Sequence, residues 1–411
     1  MKEYDLFTLN NGIRIIHKEV SGTKVHHCGL MLDIGSRDEN PEEEGLAHFW
    51  EHMAFKGTNK RKAFHILNSL DSVGGELNAY TTKEKICFYA SVLDRFSEKA
   101  FELITDITFN SIFPEKQITR ERQVILEEMA MYQDTPEDAI QDEFDEQIFV
   151  GHPLAHNILG TEKNVKRFKH EDFNRFIDKN LDTSKVVFTS VGNVPLKKII
   201  RLAEKYLAPI PIKNGATNRK LYEQYKPKHI SIKKNLMQAH CAIGRPAYTF
   251  KSKNRLPFYM LTSLLGGASM NTRLNMALRE KLGYVYSVEA NYSSYTDTGL
   301  FAIYFGTEKK NLTKSTSVVY RELKKLRQKK LGVLQLHKLK EQLMGQLAMS
   351  DENNTSLMLG MGRSLLDMGK VQSLEEVFEK MKIISSEEIF DLANEMFEES
   401  QLSTLKYIPE S

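Results

Sequence analysis

His48 and His52 stand four residues apart in the segment His48-Phe49-Trp50-Glu51-His52. On a helix that spacing stacks two imidazoles on one face, a turn apart, where both can bind the same metal ion. Zinc suits such a pair. Two neutral imidazole nitrogens with one carboxylate leave a fourth position open, which is the donor set of hydrolytic zinc sites. Glu51, three residues after His48 and next to His52, lies within reach of a water at that open position and can serve as its general base.

A histidine pair on an acidic helix is more often merely solvated, so the surroundings have to decide. The order of residues here is the inverse of His-Glu-x-x-His, which occurs nowhere in the chain, and the inverted form is a recognised zinc-peptidase arrangement. A third donor has to come from another element. The stretch Thr119–Tyr132 offers Glu121, Glu127 and Glu128. Helical periodicity places Ile118, Glu121, Ile125, Glu128 and Tyr132 on one face and Glu127 with Arg120 and Gln123 on a polar one. Glu128 is therefore expected to point inward and Glu127 outward. Glu121, seven residues before Glu128, is suited to orienting a ligand or water.

These residues need a scaffold. Ile13–His17 and Gly29–Ile34 are short apolar runs bounded by Asn-Gly and Gly-Ser and read as strands. Residues 41–55 read as a helix, with Asn40 as cap, Pro41 in its first turn, three early glutamates and Gly57 beyond its end. A helix over 62–71, paired strands over 77–81 and 86–92, helices over 94–110 and 115–133, a strand over 186–192 and a helix over 195–207 follow. Pro209–Asn218, continuing to Pro227, has the proline, glycine, asparagine and charge of a linker. After it the order restarts: strands near 229–233 and 238–244, helices near 254–265 and 270–281 flanking Gly266-Gly267, strands near 284–293 and 299–306, then two long helical segments. The expectation is an α+β fold of two homologous domains, each a mixed sheet packed with helices: 1–210 carrying the metal, a linker at 211–227, and 228–411 without it.

The 411 residues exceed one ordinary core. The 57 basic and 54 acidic residues are well mixed, leaving no electrostatic footprint for nucleic acid or an anionic membrane. Basic runs such as Arg327-Gln328-Lys329-Lys330 read as solvated helix faces. Cys28, Cys87 and Cys241 are odd in number and widely spaced, which argues against a disulfide framework. With no signal-peptide pattern and no run of about 18 apolar residues, a cytoplasmic location is expected. His152 and His156, separated by Pro153, read as structural histidines of a loop.

With those residues set out, nearly the whole chain resembles the inverzincin peptidases, the family of pitrilysin, insulin-degrading enzyme and the mitochondrial processing peptidase. Gly45–Thr58 looks like the processing-peptidase β-subunit motif, and Val124–Met129 resembles the segment supplying the third ligand. The resemblance makes Glu128 that ligand, with one zinc ion per chain, and supports Glu121 as the auxiliary carboxylate. It implies that Asn78-Ala79-Tyr80-Thr81 is an edge strand that pairs with an extended peptide. It also implies that Leu265–Leu274, with Gly266 and Gly267, is a substrate-binding glycine-rich loop. Arg279 and Tyr286 would donate to the oxyanion of the substrate carbonyl, with Tyr284 as a competing alignment. The expected activity is zinc-dependent endoproteolysis of unfolded peptides inside a chamber. Resemblance to short bacterial members implies a homodimer, with a related partner subunit as the other arrangement. A catalytically silent subunit and a zinc-containing peptide-binding protein are the alternatives.

Overall fold

A computed structural model of the chain describes residues 4–410. The fold is α+β, with two mixed sheets and many helices, divided into two compact units. The first sheet contains β1 (Asp5–Thr8), β2 (Arg14–Glu19), β3 (Val25–Leu32), β4 (Glu76–Thr81), β5 (Ile86–Leu93) and β6 (Val186–Gly192), in the order β1-β2-β6-β3-β5-β4. Only β2 and β6 run parallel; the other neighbours are antiparallel. β6 is buried along its whole length, as its nearly continuous Val-Val-Phe-Thr-Ser-Val run requires of a central strand. One face of the sheet packs on α1 (Leu46–Ala54), α2 (Ala63–Asp71) and α3 (Ser97–Phe109). The long helix α4 (Glu115–Gln133) adds Ile118, Ile125 and Met129 to the same core.

The second sheet contains β7 (His229–Lys234), β8 (Ala239–Ala247), β9 (Val285–Ser294), β10 (Gly299–Thr307) and β11 (Ser403–Pro409), in the order β7-β11-β8-β10-β9. Its single parallel pair is β7 with β11. Set β1 aside and the two sheets share one scheme, in which the last strand in sequence inserts beside the first.

The compact units do not follow a single cut at 211–227. The first gathers residues up to Ala130, His156–Arg219 and Met349–Ser373; the second gathers Met131–Ala155, Lys220–Ala348 and the chain from Leu374 on. Apolar stripes explain the exchange. The helix Asn354–Met368 lays Met358, Met361 and Leu365 on Ile16, Val187 and Val191, covering the outer face of the first sheet. The helix Pro136–Ile148 lays Ile140, Phe144 and Ile148 on Ala242, Leu300, Ala302 and Leu405 of the second. The linker composition also hides an anchor, because the buried Arg219 guanidinium binds Asp33 at 2.8 Å and both oxygens of Asp38 at 2.8 and 2.9 Å.

Three local expectations need correction. The first helix begins at Leu46, not at residue 41, because Gly45 sits at φ +96° with its Cα against the 159–160 backbone. The helix expected over 270–281 is a π-helical turn, Asn275–Glu280. After β10 the chain forms five helices, Leu312–Gln328, Val333–Asp351, Asn354–Met368, Leu374–Ile383 and Ser386–Met396, before closing with β11. Among the described residues no helix is long and apolar enough to cross a membrane.

Candidate metal centre

α1 is buried nearly all round, with Leu46, Ala47, Phe49, Trp50, Met53 and Ala54 in the first core. Phe49 meets Phe173 edge-on at 5.2 Å, and Trp50 packs on Phe88 and Phe176. The helix start is satisfied by a distant residue: both oxygens of buried Glu39 accept from the amides of Gly45 and Ala47, at 2.9 and 2.7 Å. Burial drives the Glu39 carboxyl well above the usual range, and the two amides oppose that. No spacing rule reveals a cap supplied from six residues before Gly45.

Held this way, α1 turns His48 and His52 to one side, ring centroids 4.6 Å apart. α4 faces them with Glu128: its carboxylate oxygens lie 3.8 Å from His48 Nε2 and 3.5 Å from His52 Nε2. One donor atom from each of the three side chains falls within 4.8 Å of the others. The separations of 3.5 and 3.8 Å are long for hydrogen bonds, yet close to the about 3.4 Å that donors some 2.1 Å from a tetrahedral centre keep between them. Burial, then the neighbouring His52, push the His48 imidazole down to about 3, so the ring is neutral, the form in which it could donate to a metal. Two imidazoles and a carboxylate converging in this way fit zinc.

Glu121 stands one step back. Its Oε1 lies 3.3 Å from His52 Nδ1, which places the ring hydrogen there and leaves the Nε2 lone pair toward Glu128. Its Oε2 pairs with Lys56 Nζ at 2.6 Å. Burial opposes ionisation of Glu121, but the bonds from His52 and Lys56 outweigh it and hold the carboxyl below its ordinary value. Helical spacing carries no signal for Lys56, because it follows the end of α1, where that spacing no longer predicts neighbours. Glu127 is exposed and takes a hydrogen bond from Gln123, as its polar face implies.

Glu51 projects from α1 toward β4, where the Thr81 hydroxyl donates to its Oε2 at 2.5 Å. Burial raises the Glu51 carboxyl above the ordinary value, against the pull of that hydrogen bond and of His52. β4 is the edge of its sheet: Asn78, Ala79, Tyr80 and Thr81 pair on one side with Tyr89, Phe88, Cys87 and Ile86. Its other side has no strand partner among the described residues, the condition for adding an extended peptide.

The remaining expected residues lie in the second unit. Arg279, on the π-helical turn, places its guanidinium 5.6 Å from the centre of the Tyr286 ring, and Tyr286 is 85% exposed. Tyr284 is half-buried against the second core. Gly266 and Gly267 have packing reasons of their own. A Cβ at Gly266 would meet the Ala290 amide nitrogen at 2.8 Å, and one at Gly267 would meet Ser263 Cα at 2.9 Å. The loop after them is clasped by Gln342 and Gln346, whose amides both reach Ser269 Oγ at 2.7 Å. His152 and His156 do not converge on a common ion; His152 Nε2 meets the Lys220 carbonyl and His156 Nε2 pairs with Glu44.

Residues 14–162 match the family model described as Insulinase (Peptidase family M16), and residues 167–343 match that of the Peptidase M16 inactive domain. The uncharacterised zinc protease YmxG of Bacillus subtilis is 33% identical over 393 residues, covering 96% of this chain and 95% of its own. The mitochondrial-processing peptidase subunit beta of Saccharomyces cerevisiae is 28% identical over 401 residues, covering 94% and 87%. Among solved structures, a protease from Helicobacter pylori superposes with a TM-score of 0.88 at 21% identity over 99% of both chains. A peptidase M16 inactive domain from Pseudomonas fluorescens superposes at 0.90 and 18% over 99% and 98%. At those identities the structural likeness speaks for the fold.

Proposed function

Because the chain belongs to the insulinase family, peptidase family M16, we propose that it is a zinc-dependent endopeptidase acting on extended, unfolded peptides. The observation that carries this reading is the convergence of His48, His52 and Glu128 within 4.8 Å, with the Glu51 carboxylate held on the same helix as the two histidines. Zinc held by those three side chains supplies Lewis-acid polarisation of the scissile carbonyl and acidifies water.

The chain's own residues do the rest. The backbone of Asn78–Thr81 aligns the peptide as an added strand, fixing which carbonyl reaches the site. Glu51 accepts the proton of the attacking water and passes it to the leaving amine. Glu121, with Lys56 behind it, keeps His52 in one tautomer. Arg279 and Tyr286 are the donors proposed for the oxyanion; their support is local, an exposed tyrosine beside a guanidinium, which favours Tyr286 over Tyr284. Gly266 and Gly267 are retained as part of a loop that contacts substrate. One chain carries both the zinc donors and the Arg/Tyr pair, so self-assembly into a homodimer is the proposed working form.

Mass spectrometry of an unstructured peptide mixture tests the reading. Zinc-loaded protein should make internal cuts, with both chelation and Glu51→Gln removing them and the variant keeping its zinc. Cleavage surviving in Glu51→Gln would remove Glu51 from the chemistry. No cuts from a zinc-loaded dimer would mark a silent or partner-dependent subunit.

A further inference from the structure

Glu51 has two carboxylate oxygens and needs only one of them to take a proton. The other is engaged by a side chain from a different element: Thr81 Oγ1 lies 2.5 Å from Glu51 Oε2. Thr81 is the last residue of β4, and the strand's period of two puts it on the same face as Leu77 and Ala79, which pack on the first core. The strand that offers its open edge to a peptide thus ends in a hydroxyl bound to the base.

From this contact we infer that Thr81 is a positioning residue, whose hydroxyl locks the Glu51 carboxylate and couples its placement to the peptide-binding strand. The inference rests on Glu51 being the general base. Terminal carboxylate torsions are broad and soft, so an unheld glutamate would spread over many orientations. An O–H donor on one oxygen removes that freedom and leaves Oε1 as the proton acceptor.

The residues after Thr81 hold it at fixed depth. The Thr82 hydroxyl accepts from the Lys85 amide at 2.9 Å, Glu84 is paired with buried Arg37 at 2.5 Å, and Lys85 is paired with Asp367 at 2.5 Å. A hairpin turn carrying this many satisfied charges is a rigid mount. Register and base position are therefore set by one piece of backbone.

The test compares Thr81→Val, Thr81→Ser and Thr81→Ala in the full-length zinc-loaded protein, on a peptide that the wild type cuts, with zinc content and melting temperature measured alongside. Valine keeps shape and backbone pairing but loses the hydroxyl. It should lower kcat by about 10- to 100-fold, the usual value of a hydrogen bond to a charged group, while KM stays within roughly threefold. Serine should restore kcat to near the wild-type level. If valine impairs folding, the serine–alanine pair isolates the hydroxyl by itself. Equal kcat for serine and alanine, or a valine variant as fast as wild type, would overturn the inference. An active Glu51→Gln chain would instead bring down the proposed function beneath it, so the two failures are separable.

Discussion

In the first sheet the chain leaves β3, runs through α1 and α2 and returns as β4; in the second it leaves β8, runs through Arg255–Gly266 and the π-helical turn and returns as β9. The slots correspond, but their contents differ. α1 uses its buried surface to aim two histidines at Glu128 of α4 and a glutamate at Thr81 of β4. Arg255–Gly266 fills its slot with Phe258, whose ring packs at 4.9–5.6 Å from Tyr248, Tyr292 and Phe301. One topology thus carries a candidate metal centre in one place and a packed core in the other. The fold offers a position, and a few polar side chains decide whether chemistry occurs there.

If the difference lies in individual donors, removing one should make the first slot as inert as the second. Glu128→Ala should cost zinc affinity more than the roughly 10- to 100-fold expected of a group that only supports a ligand. Glu127→Ala, one residue away on the exposed face, should keep the wild-type zinc content. Metal analysis after dialysis against a weak chelator reads both. Equal loss in the two variants would mean that the charge of α4, rather than one aimed carboxylate, holds the ion.

The first unit also buries histidines in a way that sharpens the contrast. His17 Nε2 faces the Val194 carbonyl at 2.8 Å, His17 Nδ1 meets Ser190 Oγ at 2.9 Å, and His26 Nε2 meets the same oxygen at 2.8 Å. One proton arrangement satisfies all three contacts: His17 donates from Nε2 to the carbonyl and accepts the Ser190 proton at Nδ1, and Ser190 accepts from His26 Nε2. Both rings are then neutral, and the buried Nδ1 of His26 has no partner for a second proton. Burial, with His17 beside it, pushes His26 down to about 3, and burial lowers His17 as well.

A histidine depressed in the folded state adds stability that is complete above its unfolded value, about 6.5, and that drains away as pH falls toward the folded value. The expected loss is about 1.4 kcal/mol per pH unit for each histidine in that window. The only tryptophan, Trp50, sits in α1, so its fluorescence reports the first unit alone. It should show urea midpoints falling below pH 6.5, with the slope of stability against pH shallower by about one proton in His26→Gln. An unchanged slope in that variant would mean that His26 carries no share of the acid sensitivity.

These contrasts also mark what the sequence makes legible. The histidine spacing, the inward face of Glu128 and the outward face of Glu127 follow from helical period alone, and strand punctuation marks both sheets. Helix Asn354–Met368 shows why the rest stays hidden: its Met358, Met361 and Leu365 announce an apolar face without saying which sheet it covers. Gly45 delays the helix that Pro41 and three glutamates announce, because its positive φ fits it against a backbone more than a hundred residues away. Glu39, Lys56 and the Thr81 hydroxyl act across elements, where no local pattern reaches.

That helix supplies the finest test of the division into units. Gly360 is exposed on it, with open space where a Cβ would go, whereas a Cβ at Gly362 would lie 2.8 Å from the γ-methyl of Thr189 on β6. Gly360→Ala should therefore stabilise the first unit by about 0.5–1 kcal/mol, the ordinary helix gain from removing a glycine. Gly362→Ala carries the same helix gain but must displace a β-branched side chain within a central strand, which has little rotamer freedom to yield. The net effect there should be destabilising. Urea unfolding followed at Trp50 separates the two, since only a change in the first unit moves that signal. Two alanines that both leave the Trp50 transition unmoved would detach this helix from the first sheet and return it to the second unit, towards the single linker boundary that composition suggests.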